Sequence, residues 1–196
     1  ASHGSGDIPQ EKEQDMISGT TAVYGIFGHP VEHTFSPGMH NAAFAHMGID
    51  GCYVPFSVKP EDLRKAVEAV LPVGLRGLNI TVPHKEAVIP FLDELTDDAR
   101  MIGAVNTIEV RNNRLIGHNT DGRGFLRSLR EESGLRPKGK TFLMIGTGGA
   151  ARAVCFNLAL AGAGALMLHD IDRDKAAKLG KDISNLLQGD GTNSLR

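Results

Sequence analysis

Short apolar runs rich in β-branched residues alternate along this chain with stretches whose apolar positions recur every three to four residues. That is the pattern of strands and crossover helices stacked into a parallel sheet. TAVYGIFG (21–28) reads as the first strand and SPGMHNAAFAHMG (36–48) as the helix after it. CYVPFSV (52–58) is a second strand, and KPEDLRKAVEAVLP (59–72) a helix with Val67, Val70 and Leu71 on one face. GLNITVP (77–83) and KEAVIPFLDEL (85–95) repeat the unit as strand and helix. AVNTIEVRNNRLIGHNT (104–120) departs from it, because two strand-like runs flank a short Arg-Asn-Asn turn and predict a hairpin. A helix, DGRGFLRSLREES (121–133), follows, and then the proline, glycine and basic stretch GLRPKGK (134–140) reads as a boundary. Residues 141–188 read as strand, glycine loop, helix, strand and helix.

The glycine loop gives the second unit its chemistry. MIGTGGAARAV places Gly146, Gly148 and Gly149 between an apolar strand and a helix of small residues. Glycine permits a tight turn and close backbone approach, and the free N–H groups of a helix start can receive a pyrophosphate. The next strand ends in an acid, Asp170, 24 residues past Gly146, where a carboxylate can accept hydrogen bonds from ribose hydroxyls. The alternative is that the glycines merely close a turn and Asp170 caps the next helix; strand, loop, helix and acid in this order favour the nucleotide site. The expected cofactor residues are Gly146, Thr147, Gly148, Gly149, Ala150, Asp170, Asp172 and Arg173. The charge of Asp170 would repel a 2′-phosphate, so NAD is expected over NADP, although Arg173 pulls the other way.

The expected fold class is therefore α/β, an N-terminal open α/β substrate-binding domain followed by a partial Rossmann-type dinucleotide-binding domain. The divisions are a disordered arm over residues 1–19, the substrate-binding domain over 20–122 and the nucleotide-binding domain over 123–196. Only two strands are expected in the second sheet, fewer than a parallel domain normally has, so that domain is read as incomplete.

Lys85 raises a separate question. It falls where a helix is expected to begin, just past a core strand, and the first turn of a helix carries the positive end of its dipole. A cation there is solvated or has a task. Ligands in open α/β sheets bind beyond the carboxyl ends of strands, and three such ends carry hydrogen-bonding side chains: HTFSP, NITVPHK and NTDG. Thr34, Ser36, Asn79, Thr81, Asn106, Asn119 and Asp121 would converge there, an inventory suited to a molecule with several hydroxyls. Singly, Ser36 and Asp121 are plausible helix caps and Asn106 a turn residue; their clustering argues for a site. Lysine beside aspartate makes an acid/base pair able to take a proton from an alcohol as hydride leaves its carbon.

Composition narrows the partners. With 21 basic against 23 acidic residues, the chain has no field that would concentrate nucleic acid or an anionic membrane, so a small molecule is the expected partner. No apolar run approaches the roughly 20 residues of a membrane span, and the first residues lack the apolar centre of a signal peptide. Cys52 and Cys155 have no metal-type or redox spacing, consistent with reduced thiols and a cytoplasmic location. Of eight histidines, His29 and His33 lie four apart, but Pro30 breaks helical geometry and no third ligand is near, so no metal is expected.

Five ordered stretches, YGIFGHPVEHTFSPGMHNAAF, GLNITVPHKEAV, IGAVNTIEV, GHNTDGRGF and IGTGGAARAV, resemble the shikimate dehydrogenase family, including its quinate/shikimate branch, over about residues 22–186. The resemblance implies reversible NAD(P)-dependent oxidation of a hydroxyl of shikimate or quinate, a polyol carboxylate, to the 3-dehydro ketone. It puts the family's lysine on Lys85 and its aspartate on Asp121, with substrate contacts on Ser36, Thr81, Asn106 and Asn79. Thr34 stands where the family usually has serine, at a position that helps choose between shikimate and quinate. His169, Asp170, Ile171 and Asp172 replace the Asn-Arg-Thr-like stretch of NADP-preferring members, again favouring NAD. The family's glutamine on a returning helix has no counterpart in this sequence. Two alternatives stand beside this reading: an NADP-specific biosynthetic shikimate dehydrogenase, and a non-catalytic shikimate- or nucleotide-binding homologue. The sequence leaves monomer and homodimer open.

Overall fold

A computed structural model describes residues 17–189; the expected arm lies outside the described residues through residue 16. The elements in chain order are β1 (Ala22–Gly28), α1 (Ser36–Met47), β2 (Gly51–Ser57), α2 (Leu63–Ala69), β3 (Gly77–Ile80), β4 (Glu94–Leu95), α3 (Asp97–Ile102), β5 (Thr107–Arg111), β6 (Arg114–His118), α4 (Asp121–Ser133), β7 (Thr141–Ile145), α5 (Gly149–Leu160), β8 (Ala165–His169) and α6 (Arg173–Gly189). They build an α/β structure with a six-stranded sheet, ordered β2-β1-β3-β5-β6-β4, and a parallel pair, β7-β8.

The larger sheet is mixed: the parallel units and the hairpin were expected, and the hairpin joins the sheet through an antiparallel pairing of β5 with β3. β1 runs parallel to both β2 and β3, but β5 is antiparallel to β3 and to β6. A two-residue loop can join only antiparallel strands, and Asn112 and Asn113 supply that loop with φ of 51° and 58°, the left-handed pair a type I′ hairpin requires. The reversal has a useful effect. Asn106 precedes a strand and Asn119 follows one, yet both lie at the edge where β3 ends.

One core packs α2 against this sheet: Val67 and Val70 are buried with Phe27, Leu78, Ile80 and Ile108, and Leu71 is partly buried beside them, as the helical spacing predicted. A second core joins Ala153, Cys155, Phe156 and Ala159 of α5 to Leu179 and Ile183 of α6, and takes in Ile102 at the end of α3. The two sheets are thus bridged through apolar contact.

KEAVIPFLDEL does not form the expected helix. It makes a turn over residues 85–88, a 3-10 turn at Ile89–Phe91 and then β4, which pairs Glu94 and Leu95 with Ile116 and Gly117. Pro90 explains the failure, since it offers no N–H to a helical ladder and clashes with the preceding turn. The helix that does form in this region, α3, was not expected. Thr96 caps it by accepting a hydrogen bond from the Ala99 N–H at 3.4 Å, Asp97 and Asp98 occupy its first turn, and Gly103 ends it at φ 70°.

Candidate functional site

Lys85 is held from both sides. The buried ring of His84 places Nε2 2.7 Å from the Val58 carbonyl, and the Lys85 carbonyl accepts a 2.7 Å hydrogen bond from the Val105 N–H. No helix begins at Lys85, so the dipole argument that singled it out falls away. The ammonium is fixed instead by Asp121, with Nζ 2.6 Å from Oδ2 and side-chain exposures of 14% and 25%. Such a charge-assisted bond is among the stronger kinds. Asp121 opens α4, where the helix N-terminus favours its negative charge.

The other oxygen of that carboxylate is also engaged. Asn106 Nδ2 donates to Asp121 Oδ1 at 2.8 Å and to Thr120 Oγ1 at 2.8 Å. Asn106 Oδ1 accepts from the Thr120 N–H and from the Thr107 hydroxyl, each at 3.0 Å. Asn79 Nδ2 in turn donates to Thr107 Oγ1 at 3.2 Å and to the Asn106 carbonyl at 3.3 Å. Lys85, Asp121, Asn106 and Asn79 therefore form one continuous hydrogen-bonded series across three strand ends.

Thr34 and Ser36 stand at the start of α1, where the Thr34 hydroxyl donates to Ser36 Oγ at 3.2 Å. Thr81 lies just beyond β3 with its methyl so close to Gly28 that no side chain fits there. Asn119 turns away from the series: its Nδ2 donates to the Ala104 carbonyl at 2.9 Å, and its Oδ1 accepts from the Asp121 N–H at 3.1 Å, which makes it a brace for the turn. Tyr53, which the sequence did not single out, joins the series. Its hydroxyl donates to Asn79 Oδ1 at 2.7 Å and lies in hydrogen-bonding reach of Ser36. A tyrosine in mid-strand reads as core, and no loop or cap signal marks it.

At the glycine loop, Gly146 takes φ 89°, and neither Gly146 nor Gly148 has any atom within 4 Å of where a Cβ would stand. That open space over a helix N-terminus fits a pyrophosphate. Thr147 is buried, and its N–H and hydroxyl both donate to Asp170 Oδ2, at 2.7 and 2.6 Å. The Thr147 hydroxyl, followed by the N–H groups of Asp172 and Thr147, holds the Asp170 carboxyl below its ordinary value. Asp172 Oδ1 accepts from the Asp174 and Lys175 N–H groups at 3.1 and 3.2 Å and so caps α6.

Glycines bring the two halves together. A Cβ on Gly149 would stand 2.8 Å from Lys85 Cβ, and one on Gly122 2.5 Å from the Ala153 carbonyl. Arg152, also unforeseen, braces the same junction: Nε donates to the Ile102 carbonyl at 2.8 Å, and Nη2 pairs with Asp182 at 2.9 Å. Among the described residues no group of three or more His, Cys, Asp or Glu side chains is arranged to hold a metal, and no helix is long and apolar enough to cross a membrane.

A polar strand-end site with a Lys–Asp pair, set directly against a glycine loop in a Rossmann-like parallel sheet, defines a two-part α/β architecture. The shikimate dehydrogenase substrate binding domain matches residues 26–108. A shikimate dehydrogenase (NADP(+)) of Desulforamulus reducens is 52% identical over 167 residues, 85% of this chain and 57% of that protein. A crystal structure of shikimate dehydrogenase in complex with NADP+ aligns with TM-score 0.82 at 45% identity, over 88% of this chain and 59% of that one. The Thermus thermophilus enzyme in complex with NADP(H) and shikimate aligns with TM-score 0.76 at 37% identity, over 83% and 61%. The chain belongs to the shikimate dehydrogenase family, and it spans less than two thirds of the length of these relatives.

These relatives overturn the expectation that NAD is favoured over NADP: the first is named for NADP(+), and the other two hold NADP. The physical reason lies in Asp170. Its carboxylate accepts from the Thr147 N–H and hydroxyl and from the Asp172 N–H, so it is committed to the turn rather than offered to ribose hydroxyls, and the positive charge of Lys175 acts on it.

Proposed function

We propose that this chain supplies the substrate-binding and glycine-loop parts of an NADP-dependent shikimate dehydrogenase, which interconverts shikimate and its 3-dehydro ketone. The observation that carries the reading is the Lys85–Asp121 contact of 2.6 Å, poised beside Gly149. Residues 20–122 are the substrate-binding domain in this reading, and 123–196 belong to the nucleotide-binding domain.

Lys85 Nζ gives a proton to the ketone oxygen as it becomes a hydroxyl, and takes it back in the oxidising direction; Asp121 keeps the amine aimed. Asn79, Thr81 and Asn106 hold hydroxyls, while Thr34 and Ser36 face the carboxylate end. Gly146, Thr147, Gly148, Gly149 and Ala150 would hold the dinucleotide pyrophosphate, with Arg173 and Lys175, which follow Asp170 in the chain, the cations available to its 2′-phosphate. When bound, the nicotinamide supplies the hydride acceptor or donor. The substitution of Thr34 for the family's serine makes quinate the second substrate to compare.

The test is calorimetric titration of shikimate, and the rate of NADPH formation, for the wild type and Lys85→Ala. Saturable shikimate binding with turnover that collapses in the variant supports the reading. Binding without turnover, persisting in a longer chain that spans the full length of the relatives, would leave a non-catalytic binding protein, and no binding would sink both.

A further inference from the structure

Tyr53 lies within β2, 3% exposed, packed with Ile26 and Val31. Asn41 clamps its backbone on both sides, with the Tyr53 N–H 2.8 Å from Asn41 Oδ1 and Asn41 Nδ2 2.9 Å from the Tyr53 carbonyl. Its ring stacks on His40 at 4.3 Å and 15°. Two neighbouring residues of α1 thus fix where the hydroxyl points. Burial pushes the phenol up to about 12, so it keeps its one proton at any working pH.

That proton goes to Asn79 Oδ1. The Asn79 amide then directs Nδ2 at Thr107 Oγ1 and the Asn106 carbonyl; the Thr107 hydroxyl is thereby committed to Asn106 Oδ1; Asn106 Nδ2 is left facing Asp121 Oδ1. Groups with one possible role anchor this direction independently. The Thr120 N–H can only donate to Asn106 Oδ1, and the Asn106 carbonyl can only accept from Asn79. We propose that Tyr53 is a positioning residue, the fixed donor at the head of a one-way hydrogen-bond relay through Asn79, Thr107 and Asn106 that aims Asp121 at Lys85.

Removing the hydroxyl leaves Asn79 Oδ1 without its donor while the ring and its stack on His40 remain. Asn79 is then oriented only from its Nδ2 side, so the relay, unlike the packing, is loosened at its head. This rests on the proposed function only for its effect on rate, so the test has one arm that needs no substrate. In Tyr53→Phe, side-chain amide resonances of both Asn79 and Asn106 should move in the ligand-free protein, with little change in melting temperature. With shikimate and NADP, kcat/KM should fall roughly tenfold, and adding Thr107→Val, which cuts the relay one link further on, should cost nothing further, since coupled residues are non-additive. Unmoved Asn106 resonances, or additive effects of the two substitutions, would overturn the relay. Failure to bind shikimate with moved resonances would overturn the proposed function alone. Should Tyr53→Phe not fold, the wild type decides: a Tyr53 hydroxyl proton shielded from exchange, with a cross-peak to the Asn79 amide, is required, and its absence refutes the proposal.

Discussion

Gly149 touches Lys85: a Cβ on the glycine would stand 2.8 Å from the lysine's own Cβ. The first residue of the helix that would bear a dinucleotide therefore packs on the stem of the side chain that would move the proton. Gly149→Ala should displace Lys85, destabilise the fold by about 1–3 kcal/mol as overpacking does, and depress turnover with it. Gly148 is the control, because it has φ −72° and nothing within 4 Å. Gly148→Ala should leave the calorimetric melting temperature close to wild type while weakening NADP binding, and equal melting losses in both variants would contradict the contact.

Lys85→Ala should lower kcat by about 10²–10⁴-fold, the usual contribution of a positioned acid/base group. Shikimate affinity should change far less, since Asn79, Thr81 and Asn106 remain. Steady-state kinetics with a parallel binding titration separates the two, and a variant that kept wild-type kcat would remove Lys85 from the chemistry.

Arg152→Ala should destabilise by about 1–3 kcal/mol, because the Ile102 carbonyl loses a buried donor and Asp182 its partner. Lysine should not rescue it, having no planar fork to reach both groups. Urea unfolding of the three proteins reads this directly, and full rescue by Arg152→Lys would reduce Arg152 to a simple charge.

Asp170 titrates below its ordinary value of 3.8 in the fold. A depressed carboxyl stabilises above its unfolded value, and the benefit is lost as pH falls through the folded one. The unfolding midpoints of wild type and Asp170→Asn should therefore differ at about pH 6 and converge toward about pH 3. A gap that stayed constant over this range would mean that the charge contributes nothing.

Thr34→Ser removes one methyl beside Ser36. The ratio of kcat/KM for quinate to that for shikimate should change, by roughly the ten- to hundredfold that one methyl group can discriminate. An unchanged ratio would place Thr34 outside the specificity pocket.

The strands and helices were legible where periodicity was long. Val67, Val70 and Leu71 pack as their spacing required, and the two asparagines between β5 and β6 made the hairpin expected of them. KEAVIPFLDEL misled because Val88, Ile89 and Leu92 have helical spacing, while Pro90 and the edge of β6 decide the outcome. The strand-end polar residues were readable as types; whether they meet was not. Tyr53 and Arg152 gave no local signal, because what each does depends on partners about 26 and 50 residues away. Asp170 was read as a free charge because sequence shows a carboxylate but not what it is already bonded to.

β5 runs opposite to both its neighbours, and this makes the ladder a ruler for the site. Asn106 is measured out by the rungs from Asn79↔Thr107 and Asp121 by those from Thr107↔His118. Loop length at Asn112 and Asn113 does not enter that measurement. Residues inserted at the hairpin tip would lengthen the turn and leave the separation of Lys85 and Asp121 untouched, whereas one residue inserted between Leu115 and His118 would turn the following side chains to the opposite face. Evolution can therefore elaborate the far end of this hairpin freely, while its near end admits no change of phase.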